Sequence, residues 1–540
     1  MSIDLLRWPG GPLPWAHGDV HALPDSVGGA AGAVAEVAAR TTADWLLFWD
    51  PALGAPPAAA LPALVAGRAD VLHAGLLLGM GGLPAEIDFV QPTWWLAVDP
   101  PPDRQATSWR LSWRACLVRV DVLRALGGPD PAFRSLDGAA LDLGWRWLAR
   151  GAMVAHEPSL LPAPPREVAI TIPAHDRHLF MLRHYPRKWA RYATARRCLA
   201  GAPWRELRAF RDAQRTAGAQ PPPAPAIYLR PTASELEPGR VTVILPTLGR
   251  PGLVADVLDD LRKQTVAPAQ IVCVDQNGDA EGPYDRFGDL PLDIVRQRGR
   301  GQWLARNAAV ERATGDLLLF LDDDSRIGPD FLEAHLRALA TYRADVSAGA
   351  SLSTVGAPVP ANYGFFRVAD QFDSGNALVR RDAMERIGAF DRRYDRMRSG
   401  DADFGTRLYL AGGLAVHNPL AARVHSKAAT GGLRSFGSWD SYRQRGLLTP
   451  RPLPSVVYYS RRFFSARQAR EALLIGLAQS VIPYHLKRRA TPWQWARYVA
   501  LEALMAPLSA VRVARSLVAA RRMLAGGPVI PAVPARSPSR

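Results

Sequence analysis

The chain has 540 residues, 48% of them hydrophobic and 21% charged, with a formal net charge of +16. That balance excludes a disordered or fibrous chain and leaves room for roughly two to four domains with ample core. The basic excess is nearly all Arg, with only four Lys, and fits anionic partners such as nucleotide sugars, phospholipid surfaces or nucleic acid. Cys116, Cys198 and Cys273 are widely spaced, in no metal-binding pattern, which fits a reducing compartment. The amino terminus has no signal-peptide core and no stretch reaches 18 uninterrupted apolar residues, so a cytoplasmic protein is expected, with peripheral membrane contact left open.

In chain order, residues 1–165 carry apolar runs at 45–49 and 71–78 between Ala, Pro and Gly-rich connections. Residues 117–158 match 378–419 without a gap, twelve of the 42 pairs being identical, among them Arg119 with Arg380, Asp142 with Asp403 and His156 with His417. Upstream, DWLLFWD at 44–50 mirrors DLLLFLD at 316–322, and RADV occurs at both 68–71 and 343–346. We read a partial internal duplication of one α/β unit. In this register Asp324 faces Ala52, Asp401 faces Ala140 and His425 faces Pro164, so the first copy is expected to keep the fold without the chemistry. The early part of the second unit finds no counterpart in the first.

Residues 166–237 form a basic, Trp-bearing helical stretch that ends in a Pro cluster at 221–226, a semi-rigid linker. The second unit, 238–430, then alternates strand and helix. Strands are expected at 241–245, 271–274 and 317–321, a turn at 246–250, and helices at 253–264, 302–313 and 330–339. That spacing implies a mainly parallel sheet flanked by helices. From 431 to 540, helical segments near 466–486 and 493–524 interleave apolar faces with Arg and end in a Pro-rich tail expected to be disordered. They read equally as a membrane-surface module or as a bundle packed on the preceding domain.

The chemistry concentrates at DLLLFLDDDS, 316–325. A buried apolar strand running straight into carboxylates delivers charge to the edge of an open α/β sheet, where ligands bind. Asp322 and Asp324, one residue apart, can face the same side while Asp323 turns away. Paired carboxylates suit a hard divalent cation, Mg²⁺ or Mn²⁺, with positions left for phosphate oxygens.

Five blocks, VTVILPTLGRP (241–251), IVCVDQNGD (271–279), GQWLARNAAVERATGDLLLFLDDDS (301–325), SGNALVRRDAMERIGAFD (374–391) and SGDADFGTRLYLAGG (399–413), together resemble a family 2 glycosyltransferase of the GT-A fold over residues 240–427. The resemblance implies that Thr247 and Asp275 hydrogen-bond the base and ribose, and that Arg306 lies near the base or diphosphate. It further implies that Asp324 binds the metal, Asp322 the metal or ribose, and that His425 completes the metal shell. Asp401 aligns with the catalytic base of a single, inverting displacement. Asp403 recurs as Asp142 and is assigned to the scaffold or to capping the amino terminus of its helix; His417, the competing candidate for the metal shell, recurs as His156 and is assigned to the scaffold. Gln276 and Gly400 stand where the family often has acids. The implied activity is Mn²⁺- or Mg²⁺-dependent transfer from a UDP or dTDP sugar to a glycan or lipid-linked acceptor, in cell-surface polysaccharide or glycolipid synthesis, with no specific nucleic-acid partner. In this reading the first copy helps dimerise, braces or binds acceptor glycan, with Trp94, Trp95 and Trp109 either stacking on sugar rings or, as is commoner for Trp, buried in the core. The alternative is a non-catalytic carbohydrate-binding or scaffold protein built on two such folds.

Overall fold

Two apolar runs, Trp45–Trp49 and Leu317–Leu321, become fully buried central strands of two separate sheets. Each buried side chain of such a strand contributes about 1.5–3 kcal/mol, enough to fix both strand positions. The structure is a computed structural model describing residues 2–82, 87–88, 95–161, 163, 170–220, 226–278, 282–353, 358–426, 448–480 and 491–534.

The first unit comprises β1 (Ile3–Arg7), β2 (Val20–Ala22), α1 (Val27–Arg40), β3 (Trp45–Trp49), α2 (Leu61–Val65), β4 (Val71–His73), β5 (Ala106–Thr107), β6 (Ala115–Arg119), α3 (Val120–Leu126), α4 (Leu136–Ala149) and β7 (Val154–His156). Its sheet runs β2-β1-β3-β6-β4-β7-β5. Three helices follow, α5 (Ala174–His184), α6 (Arg187–Ala200) and α7 (Pro203–Ala219). The Pro cluster at 221–225 and His425's sequence partner Pro164 lie outside the described residues.

The second unit comprises β8 (Val241–Thr247), α8 (Pro251–Arg262), β9 (Gln270–Asp275), β10 (Leu292–Arg296), α9 (Gln302–Arg312), β11 (Leu317–Leu321), β12 (Ser325–Ile327), α10 (Phe331–Tyr342), β13 (Val346–Ser353), β14 (Arg367–Val368), β15 (Asn376–Arg380), α11 (Arg381–Ile387), α12 (Gly400–Leu410) and β16 (Ala415–His425). Its sheet runs β10-β9-β8-β11-β15-β13-β16-β12, with β14 also on β16. The half from β10 to β11 is parallel, and β15 runs antiparallel to both its neighbours, the mixed α/β arrangement of a GT-A fold.

Without the outer strands β10 and β12, the second sheet has the strand order and strand directions of the first. Trp45 pairs with Arg119 as Leu317 pairs with Arg380, and His73 with His156 as Ala348 with His417. The first sheet also has what its sequence concealed. β1 lies parallel to both β2 and β3, as β8 does to β9 and β11. The expectation that this early part has no counterpart is corrected. No helix separates β1 from β2, so the strand-helix alternation that marks the second unit is missing from the sequence.

Two other expectations change. The turn placed at 246–250 begins later, because Pro246 and Thr247 stay in the ladder opposite Val274 and Asp275. The carboxyl-terminal helices are α13 (Pro454–Phe463), α14 (Ala466–Ser480), α15 (Pro492–Leu504) and α16 (Ala506–Ala525). Beyond them, residues 526–534 are ordered rather than disordered. The Ala389 and Arg392 amides donate to the Pro531 and Val529 carbonyls, each at 2.9 Å, and the Val529 amide donates to Asp391 at 2.9 Å. A Pro-rich segment cannot make a helix, but its free carbonyls can satisfy loop amides of a neighbour. Residues 535–540 lie outside the described residues. α13 is equally integral, since Arg462 ion-pairs with both Asp391 and Asp403. Among the described residues, no single helix is long and apolar enough to cross a membrane.

Candidate active site

β11 ends where the acids begin, and the pleat separates them. The Asp323 carboxylate turns toward β8, accepting from the Thr247 hydroxyl at 2.8 Å and pairing with Arg250 at 2.7 Å. Asp322 and Asp324 turn toward β16. The antiparallel pairing of Ser325 with His425 brings that imidazole to the same edge, Nε2 lying 3.2 Å from Asp324. Ligand atoms of Asp322, Asp324 and His425 all lie within 4.8 Å of one another, so the structure brings together the three residues named for the metal. Two carboxylates and one imidazole suit a hard or borderline divalent cation.

Three arginines balance this acidity. Arg306 on α9 donates to Asp322 at 2.6 Å, Arg423 on β16 donates to it at 2.9 Å, and Arg250 lies 3.3 Å from Asp324. Burial would push the Asp322 carboxyl upward, but the guanidinium groups of Arg423 and Arg306 hold it well below the usual carboxylate range. Burial opposes ionisation of Asp324 too, but the hydrogen bond from His425 together with the charges of His425 and Arg250 lowers its carboxyl below the ordinary value. Arg306 thus sits beneath Asp322 and also donates to the Ser374 carbonyl at 3.2 Å.

Asp401 occupies the first turn of α12. Its carboxylate accepts the Ser374 amide at 3.0 Å, and burial together with the nearby charge of Asp373 pushes it up to about 6. The helix starts from Ser399 in the left-handed region at φ 80°, a strained position for a residue with a side chain. No acid precedes Asp401 because a Cβ at Gly400 would lie 2.3 Å from the Trp303 ring, which stacks on Phe390. Asp403 does not cap α12. It lies fully buried and pairs with Arg407 at 2.8 Å, as Asp142 pairs with Arg146. His417 is tied to the Tyr363 carbonyl at 3.2 Å and His156 to the Pro102 carbonyl at 2.7 Å, both away from the acids.

Thr247 and Asp275 meet in one cavity of about 270 Å³, lined also by Val254, Asn277, Tyr284 and Arg300. Asp275 accepts from the Tyr284 hydroxyl at 2.7 Å and from Arg296 at 2.8 Å. Trp95 and Trp109 are buried, which removes them as sugar platforms, and Trp94 lies outside the described residues.

The sequence reading missed Arg423, Asp373 and Arg250. Arg423 is fully buried and joins Asp322 to Ser325, Ser351 and Asp373. Its one signal was its place two residues before His425, on the same face of a strand.

A family model for Glycosyl transferase family 2 matches residues 242–388, which include β8, β11 and the carboxylates at its end. The chain carries a family 2 glycosyltransferase domain. This glycosyltransferase domain is similar to the uncharacterized glycosyltransferase YwdF of Bacillus subtilis, 24% identical over 166 residues, 28% of this chain and 62% of that protein. It is also similar to the succinoglycan biosynthesis protein ExoM of Rhizobium meliloti, 33% identical over 155 residues, 25% of this chain and 48% of that one. The chain thus spans between 48% and 62% of the length of these two relatives. Among solved structures, the mannosyltransferase PcManGT from Pyrobaculum calidifontis, in complex with GDP-Man and Mn²⁺, is 19% identical with a TM-score of 0.33, over 54% of this chain and 90% of that one.

Proposed function

We propose that the protein transfers a sugar from a nucleoside diphosphate sugar to an acceptor hydroxyl by a single, inverting displacement. One observation carries the reading. Ser374 joins the two halves of the site, its amide donating to Asp401 while its carbonyl accepts from the Arg306 that also holds Asp322. A base and an anion-binding edge are therefore fixed to one another at one end of one sheet.

In this reading the cavity at Thr247 and Asp275 takes the base and ribose of a UDP or dTDP sugar, and Asp322, Asp324 and His425 would hold Mn²⁺ or Mg²⁺. When bound, the cation would supply charge neutralisation on the leaving diphosphate. Asp401 accepts the proton of the acceptor hydroxyl as its oxygen bonds to the anomeric carbon and the bond to the diphosphate breaks. Arg306 and Arg423 keep Asp322 ionised throughout. The acceptor is a glycan or a lipid-linked glycan of cell-surface polysaccharide or glycolipid synthesis, a reading that draws on the name of the relative ExoM. The first unit is a degenerate, non-catalytic copy, a reading supported by the matching strand order and by Ala52 and Ala140 in place of the acids. We place its action in the cytoplasm, with peripheral contact at the inner face of the membrane; the exposed Trp493, Leu501 and Leu504 on α15 support the membrane contact.

The test is donor binding and turnover with a panel of UDP, dTDP and GDP sugars and Mn²⁺. Asp324→Ala should abolish metal-dependent binding, and Asp401→Ala should keep it while turnover stops. Failure of every nucleotide to bind at any metal concentration would leave the scaffold reading in possession.

A further inference from the structure

The two units touch through reciprocal contacts. Gln105 and Phe366 each stand one residue before an edge strand, β5 and β14, and Gly151 and Gly412 each stand three residues before β7 and β16. A Cβ on Gly412 would meet the Gln105 carbonyl at 2.6 Å, and a Cβ on Gly151 would meet the Phe366 carbonyl at 3.0 Å. Both glycines have positive φ, 82° and 108°, so close backbone approach and left-handed geometry coincide at both places. At this glycine pair, contact of i with j is answered by contact of j with i, the signature of an isologous, two-fold interface, here made within one chain. The RADV arginines also cross the interface, but to non-equivalent partners. Arg68 of the first unit donates to Asp345 of the second at 2.7 Å, while Arg343 of the second donates to the Ala66 carbonyl of the first at 2.7 Å, because Asp70, the counterpart of Asp345, pairs with Arg230 instead.

The interface is also asymmetric at α12. α12 is gripped by the first unit along the half that lies away from Asp401. The Trp95 ring fills the place of a side chain at Gly405, where a Cβ would lie 2.0 Å from it. The Tyr409 hydroxyl donates to the Val98 carbonyl at 2.9 Å, Arg104 donates to the Leu410 carbonyl at 3.1 Å and Arg68 to the Gly412 carbonyl at 2.7 Å. Guanidinium groups on carbonyls at a helix carboxyl terminus satisfy groups the helix leaves unpaired and suit its dipole.

We propose that the first unit is a built-in partner subunit that positions the base. It occupies, about a pseudo-two-fold axis, the face a second copy of the glycosyltransferase domain would take, and it anchors α12 so that Asp401 is held over the site. Arg68, Arg104 and Tyr409 are positioning residues, not catalytic ones. The role given to Asp401 rests on the proposed function; the anchoring of α12 does not. A helix is a stiff rod, so freedom at its last turn becomes displacement at its first, and a misplacement of about 1 Å is enough to slow a positioned reaction by orders of magnitude. The strained Ser399 at the other end makes outside support necessary.

The test is the full-length Arg68→Ala/Arg104→Ala/Tyr409→Phe protein, with Arg104→Ala alone as the milder variant. Hydrogen exchange of amides 403–408 should quicken roughly tenfold while β8 and β9 amides keep their protection. With a donor in hand, kcat should fall roughly tenfold with donor affinity kept. Unchanged exchange in α12 would overturn the proposal, as would a loss of donor affinity in step with kcat. Wild-type protein without turnover on any donor would instead remove the proposed function, and the exchange result would still decide this one.

Discussion

The two sheet edges start from the same place and end differently. At the end of β3, Asp50 pairs at 2.7 Å with Arg114, which continues to Asp137 at 3.1 Å and lies over the Trp8 ring at 4.5 Å. At the end of β11, Asp322 occupies the place of Asp50, and Gly375 stands immediately before β15 as Arg114 stands before β6. A Cβ at Gly375 would come within 2.1 Å of Asp322 and 2.5 Å of Arg423. One edge is closed by a cation of its own chain. The other lacks a side chain there, and its arginines approach Asp322 from the flanks, leaving Asp324 and His425 together. The same fold edge is therefore braced by a salt bridge in one unit and left with grouped carboxylates and an imidazole in the other, and Gly375 in place of Arg114 is one of the positions that differ.

The largest effect should come from the acid with no counterpart. Asp401→Asn should lower transfer roughly 10³-fold, within the range for loss of a general base, with donor affinity intact. Ala140→Asp, the reverse change in the first unit, should add no activity. Equal loss from both variants, measured as nucleotide release with saturating donor, would end the assignment of roles to the two units.

Arg114→Ala attacks the comparison from the other side. It leaves Asp50 and Asp137, both buried, without their shared cation, which should cost about 3 kcal/mol in urea unfolding. Donor binding by the glycosyltransferase domain should persist. Gly375→Ala carries one methyl group's worth of the Arg114 situation into the second edge. Displacing Asp322 and Arg423 should cost about 2 kcal/mol of stability and weaken metal-dependent donor binding, read by urea unfolding and calorimetry. An unaffected Gly375→Ala protein would mean that this position does not distinguish the edges.

What could be read without a structure follows the range of the interactions. The strand at 317–321 and the acids after it were legible because burial, pleat and charge all act over a few adjacent residues. Asp322, Asp324 and His425 could be grouped only through the family resemblance, since Ser325 and His425 become neighbours by pairing across the sheet. Arg423 stayed hidden because its partners Asp322 and Asp373 lie 101 and 50 residues away, and nothing local marks an arginine as buried. β1 was missed for the lack of a helix after it, and the order of 526–534 because a Pro-rich segment docks through carbonyls that its composition does not advertise.

The smallest effect is also the most graded. Burial and then the charge of Asp373 push Asp401 from 3.8 up to about 6, and the base works only when ionised. kcat/KM should therefore rise with pH and level off above about 7, the ionised fraction at pH 5 being about a tenth of the whole. Stability should move the other way. A carboxyl whose folded pKa is raised holds its proton more tightly in the native state, so its contribution is full below 3.8 and is lost as pH rises through about 6. Asp373→Asn removes the like charge and should shift the activity midpoint downward. The first unit has Ala140 at this place and contributes nothing to the profile. A rate that stays flat between pH 5 and 8, or an Asp373→Asn midpoint that moves upward, would mean that Asp401 is not the group taking the proton.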